Sequence, residues 1–289
     1  MTNRDFLAKE IFSRYGTVQR ARGCFLYTKK GVRLTDLYQE GGRAILGWGN
    51  GSSSTVFKNT LNRHITGFFN TEFEAQTKKA VETLFCSPRT IFFYNNYSSA
   101  LSTALAISKH ATFFYRPWND ATVDLSSQKA IIFVPPYPWG DIFILAANPA
   151  DATESAKYGI LDPGIKIPAP LHSAISRSVY DLISALKTRE EKDFFIYDQI
   201  LHSYWQRKGP YLFPKMDIND YQKFVLHCLD LSLVISPDYN MPSIIPFGAD
   251  KGVFTKLKNT PFEFKPSTET EKETNDDKSD KSDKNEKTD

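Results

Sequence analysis

The tightest constraint on folding lies just after Pro170, where Leu171, Ala174, Ile175, Ser178, Val179, Leu182, Ile183 and Leu186 recur at three- and four-residue steps. That spacing puts all eight on one stripe of a long helix, and such a stripe needs a broad apolar surface to cover it. Short bulky runs supply the surface: TIFFY at Thr90 to Tyr94, ATFFY at Ala111 to Tyr115, AIIFV at Ala130 to Val134 and DIFILA at Asp141 to Ala146. TIFFY, bounded by Pro88 and Asn95-Asn96, reads as a buried strand, and the other three share its β-rich character. Helical patterns intervene, over Thr55 to Phe68 with Ser53 or Ser54 able to cap it, over Glu72 to Phe85, and from Ser98 through Leu101, Ala104, Leu105 and Ser108. Strands alternating with helices predict an α/β fold with a mainly parallel sheet and helices on both faces.

Smaller elements flank this block. Cys24 to Tyr38 places two β-rich runs around Lys29-Lys30-Gly31 and reads as a hairpin, with Gly supplying the positive φ of a tight turn. Toward the other end, Ile218, Tyr221, Phe224, Val225, Cys228 and Leu229 form a second apolar stripe, followed by the short strand candidates SLVIS and PSIIPF. The expected organisation is residues 1–40 as the N-terminal helix and hairpin of a small α+β lobe, 41–190 as the large α/β domain, 191–266 as the rest of the lobe, and 267–289 as a tail. From Ser267 onward there is no aliphatic or aromatic residue to offset the entropy of ordering, so the tail is expected to be disordered.

That tail also hides the charge balance. The 289 residues carry a net +3, yet the tail holds nine acids and five lysines, which leaves the body at +7. Such a body with 40 aromatic residues would suit single-stranded nucleic acid, where bases stack on rings and cations follow phosphates. The basic residues are dispersed along the chain, however, and the aromatic ones fall in predicted core runs, so nucleic acid ranks last among the expected partners. Cys24, Cys86 and Cys228 are too scattered for a disulfide framework or a zinc site and are expected as buried small apolar side chains. The N-terminal MTNRDFLAKEIFSRYG has no continuous apolar core of a secretory signal, and AIIFVPPYPWGDIFILAA is broken by prolines and an Asp, so a cytoplasmic protein with no membrane association is expected.

Common catalytic signatures are absent: no GxxxxGK[ST], no GxSxG and no HExxH occurs. His64, His110, His172, His202 and His227 have no partners at ligand or triad spacing and read as surface or hydrogen-bonded structural residues. Gly47-Trp48-Gly49-Asn50-Gly51-Ser52 approaches GxGxxG but ends in Ser, and reads as a loop with a helix cap. More specific is IFFYNNYSSALSTALAIS, where a strand ends in a polar loop and the next helix begins with the amides and hydroxyls of Tyr97, Ser98 and Ser99. A helix N-terminus of this kind is a natural phosphate site.

Several of these segments resemble class III pyridoxal-phosphate-dependent aminotransferases. Arg22-Gly23, Leu26-Tyr27, Gly31, Asp36, Gly41-Gly42 and Leu46-Gly47 follow the family's N-terminal signature in order. FFYNNYSSALSTALAIS is similar to its phosphate-binding segment, PAPLHSAISRSVYDLISAL to its long helix after the large domain, and LSLVISPDYNMPSIIP to strands of its small domain. The resemblance implies fold type I, a homodimer or other protein partner, and a cofactor phosphate held by Asn96, Tyr97, Ser98 and Ser99. This chain departs from the pattern: Tyr97 replaces a Gly, Ser99 a Glu and Trp48 a His, and the stretch between Ala130 and Pro170 lacks the Asp-Glu pair. Its only lysines are Lys157 and Lys166. Transamination needs a lysine for the Schiff base and an acid at the pyridine nitrogen. The expectation is therefore a shortened, aminotransferase-like pseudoenzyme without cofactor that binds or regulates a partner, the alternative being a divergent pyridoxal-phosphate enzyme using Lys157 or Lys166.

Overall fold

The computed structural model describes residues 2–49, 51–67, 69–108, 112–120, 122–159 and 161–264. His110 and the tail expected at 267–289 lie outside the described residues. The chain divides into two compact units, one formed by residues up to Gly41 together with those from Glu191 onward, the other by Gly42–Glu190.

The first unit begins with α1 (Asn3–Tyr15), whose start is fixed by a capping box. The Thr2 hydroxyl accepts from the Asp5 amide, and the Asp5 carboxylate accepts from the Thr2 amide. Then β1 (Val18–Arg22), β2 (Phe25–Thr28) and β3 (Arg33–Asp36) form an antiparallel meander. The β2–β3 turn is the expected hairpin, with Gly31 at φ +77° and its amide donating to the Thr28 carbonyl.

The second unit contains α2 (Ser53–Leu61), α3 (Glu72–Phe85), β4 (Thr90–Tyr94), α4 (Tyr97–Ile107), β5 (Thr112–Phe114), β6 (Ala130–Phe133), β7 (Phe143–Ala147), α5 (Pro149–Lys157) and α6 (Ala169–Thr188). Its sheet runs β4-β7-β6-β5. Only β5 and β6 pair in parallel; β7 is antiparallel to both β4 and β6, so the mainly parallel arrangement expected from the alternation is corrected to a mixed sheet. The reason is local, since nine residues join β6 to β7, fewer than the dozen or so that a parallel crossover needs. Both faces are covered, as expected. Ile131, Phe133, Ile144 and Ala146 meet α3 and α6 through Val81, Phe85, Ala174, Ile175 and Val179. The alternate residues Ala130, Ile132 and Leu145 meet Ala100 and Ala104 of α4. Strands buried on both faces are apolar throughout, which explains why these runs do not alternate in polarity.

Two details of this unit differ from expectation. The helix expected to reach Phe68 stops at Leu61, where Asn62, Arg63 and His64 turn out of it and His64 adopts φ +58°. Ser53 and Ser54 lie inside the helix, while Ser52 occupies the cap position without a side-chain bond. Cys86 is exposed at the end of α3, whereas Cys24 and Cys228 are buried as expected.

Returning to the first unit, the chain adds α7 (Lys192–Phe195), α8 (Asp198–Leu201), the hairpin β8 (Trp205–Lys208) and β9 (Tyr211–Pro214), α9 (Ile218–Asp230), β10 (Leu233–Val234), β11 (Ser243–Ile244) and α10 (Thr255–Asn259). β10 pairs with β3 in parallel and completes a sheet of order β1-β2-β3-β10, while β11 extends the β8–β9 hairpin. The α9 stripe buries Tyr221, Phe224, Val225, Cys228 and Leu229; Ile218, counted with it, is exposed in the first turn. Among the described residues no cluster of side chains suits a metal ion, and no helix is long and apolar enough to cross a membrane.

Candidate functional site at the start of helix α4

α4 starts where β4 ends. Asn96 takes the N-cap in an extended conformation, and its Oδ1 accepts from the Ser99 amide at 2.8 Å while its Nδ2 donates to Asn95 Oδ1 at 2.9 Å. Ala100, Thr103 and Ala104 bury the inner side of the helix, which leaves Asn96, Tyr97 and Ser98 exposed and Ser99 partly so. All four expected site residues are thus in one turn. First-turn amides have no acceptor within the helix, so this end favours negative charge.

The environment of Tyr97 decides what that turn can hold. Its ring meets Phe114 edge-on at 5.7 Å between centroids and lies 5.9 Å from Phe143. Arg116 stacks over Phe114 at 4.9 Å and Arg43 over Phe143 at 5.0 Å. Arg43 is buried, donates to the Ile142 carbonyl and lies 3.7 Å from Asp141. Sequence reasoning missed Arg43, Phe114, Arg116 and Phe143, because they reach the site from separate elements and no spacing links them to residues 96–99. This collection offers hydroxyls, amides and guanidinium groups, which suit an anion, but no amine.

The two lysines considered for Schiff-base chemistry lie elsewhere. Lys157, at the end of α5, lines a groove with Ala150, Thr153, Glu154 and Tyr158. Lys166 lines another cleft with Glu74, Phe93 and His172. Neither wall includes any of residues 96–99. In the second cleft the buried His172 places Nδ1 3.2 Å from Thr77 Oγ1, and burial pushes its pKa down to about 4. Thr77 Oγ1 also lies 2.8 Å from the Phe73 carbonyl and 3.1 Å from the His172 carbonyl, which ties the imidazole to α3 through one shared hydroxyl.

No protein-family model matches the chain. An uncharacterized protein of Treponema pallidum is 27% identical over 281 residues, spanning 82% of this chain and 91% of that one. Another, from Borreliella burgdorferi, is 26% identical over 255 residues, spanning 86% and 91%. Similar solved structures include the ornithine aminotransferase of Toxoplasma gondii, with TM-score 0.63, 10% identity and coverage of 90% of this chain and 96% of that one. The ornithine aminotransferase of Plasmodium yoelii superposes with TM-score 0.59 at 12% identity, covering 90% and 97%. The acetylornithine aminotransferase of Elizabethkingia anophelis does so with TM-score 0.59 at 10% identity, covering 89% and 98%. The fold is therefore that of the class III aminotransferases.

Proposed function

We propose that this chain is an aminotransferase-like protein that has lost pyridoxal-phosphate chemistry and acts in the cytoplasm as a binding or regulatory protein, either as a homodimer or with another protein. The packing of Tyr97 carries the reading. A cofactor phosphate held by Asn96, Tyr97, Ser98 and Ser99 would need close approach to a backbone that here bears a phenol ring resting against Phe114 and Phe143. Asn96 already occupies the Ser99 amide. Among the described residues the side chains gathered around the turn include no amine for a Schiff base, so this set does not fit pyridoxal phosphate as a reacting group. What remains is an anion-tolerant helix start on a fold whose two faces are well packed.

The test is cofactor loading. Protein incubated with excess pyridoxal phosphate, reduced with borohydride and digested should yield no stoichiometrically labelled lysine peptide, and the unreduced sample should show no Schiff-base absorbance after desalting. Stoichiometric labelling of Lys157 or Lys166 would overturn the proposal in favour of a divergent transaminase.

A further inference from the structure

Three arginines that look dispersed along the chain share one face of the N-terminal sheet. From Ile11 to Thr35 the sequence has six basic residues and no acidic one. Arg14 is spent on Glu10 and Asp230. The other five are Arg20, Arg22, Lys29, Lys30 and Arg33; all are exposed, and none has a carboxylate partner among the described residues.

Strand register decides where they go. Arg20 lies opposite Tyr27, Arg22 opposite Phe25, and Tyr27 opposite Arg33. Residues directly opposite share a face, as do residues two apart on a strand. Arg20, Arg22, Phe25, Tyr27 and Arg33 therefore occupy one side of the meander, and the hydrophobic Leu26 and Leu34 the other. The Arg33 guanidinium stacks over the Phe25 ring at 4.5 Å and that of Arg20 over the Tyr27 ring at 5.6 Å. Lys29 and Lys30 extend the positive charge into the adjoining turn. Asp36, the nearest carboxylate on β3, is buried and accepts from the Tyr38 and Gln39 amides.

We propose that this face, built by Arg20, Arg22, Phe25, Tyr27 and Arg33, binds single-stranded nucleic acid. Guanidinium planes held flat on Phe25 and Tyr27 present their outer faces for stacking on bases whatever their sequence, while the positive charges follow the phosphates. The planar stacking groups favour nucleic acid over an acidic peptide, which has no bases to stack. The rings are half-buried in the sheet, which disfavours a membrane surface, where aromatic side chains must reach into the lipid. This inference concerns the first unit alone and does not depend on the fate of the cofactor site.

Full-length protein would be titrated against a fluorescent mixed-sequence single strand of about 16 nucleotides, with polyglutamate and phosphatidylserine vesicles as competing polyanions. The expected result is saturable binding in which the slope of log affinity against log salt becomes shallower by about 0.7 for each phosphate contact removed in Arg20→Gln, Arg22→Gln and Arg33→Gln. Tyr27→Leu, which keeps apolar bulk but removes the ring that holds the Arg20 plane flat, should weaken binding by about tenfold with an unchanged salt slope. Circular dichroism melting of each variant confirms that the fold persists. Wild-type affinity in the triple arginine variant, or equal affinity for polyglutamate or the vesicles, would refute the proposal.

Discussion

His172 makes the stability of the second unit depend on pH in a direction that burial dictates. The imidazole is buried beside α3, its Nδ1 faces Thr77 Oγ1 and the Phe93 ring meets it edge-on at 5.1 Å. Its pKa in the folded protein is lowered from 6.5 to about 4 because the interior penalises the cation. The unfolded chain therefore binds a proton that the folded chain refuses. The contribution is fully present above the unfolded pKa and is lost as pH falls toward the folded one. A gap of this size corresponds to about 3 kcal/mol in full, of which about 2 kcal/mol is gone by about pH 5. The assay is urea unfolding followed by fluorescence at about pH 7 and about pH 5. The control is His172→Asn, whose amide can still hydrogen-bond Thr77 but does not titrate. The parent should lose about 2 kcal/mol more than the variant across that interval. Equal losses would refute the reasoning and assign the acid sensitivity to carboxylates elsewhere.

Two further outcomes follow from the packing. Gly164 sits at φ +72°, and a methyl group there would lie 3.2 Å from the Phe93 carbonyl carbon and overlap its oxygen, which accepts from the Ile165 amide. Gly164→Ala should cost at least about 2 kcal/mol in denaturant unfolding, and an unchanged midpoint would show that the segment beside β4 shifts freely. Among the cysteines, burial pushes the Cys24 thiol up to about 11 and raises Cys228 well above its ordinary value, while Cys86 is exposed. Iodoacetamide at about pH 8 should therefore modify Cys86 alone in the native protein, and rapid labelling of all three would contradict the burial.

The parts of the fold legible in the sequence were those whose partners recur at a fixed short period. α3, β4 and the α6 stripe declare themselves through 3.6-residue spacing or unbroken β-rich character, and they occur at Glu72–Phe85, Thr90–Tyr94 and Ala169–Thr188. Strand direction was hidden, because a run buried on both faces reads the same whether its neighbours are parallel or antiparallel; only the nine-residue link between β6 and β7 carried that information. The β8–β9 hairpin escaped notice because Trp205–Lys208 and Tyr211–Pro214 are four-residue strands with two charged residues in the first and a proline ending the second.

The same limit applies to sites. Asn96 to Ser99 could be grouped because a helix start is contiguous, whereas Phe114 and Phe143, which meet the Tyr97 ring, and Arg43, which stacks on Phe143, arrive from three other places in the chain. The arginine face is the clearer case. Arg20, Arg22 and Arg33 span fourteen positions and show no cluster in a linear reading, yet two antiparallel turns fold that span back on itself and the two-residue period of a strand sorts it by side. A one-residue slip of β1 against β2 would send Arg20 and Arg22 to the side of Leu26 and Leu34, where burying two unpaired cations is prohibitive. The register that protects the core is therefore the register that assembles the basic face, so charge dispersed along a β-rich segment says little about binding until the pairing is known.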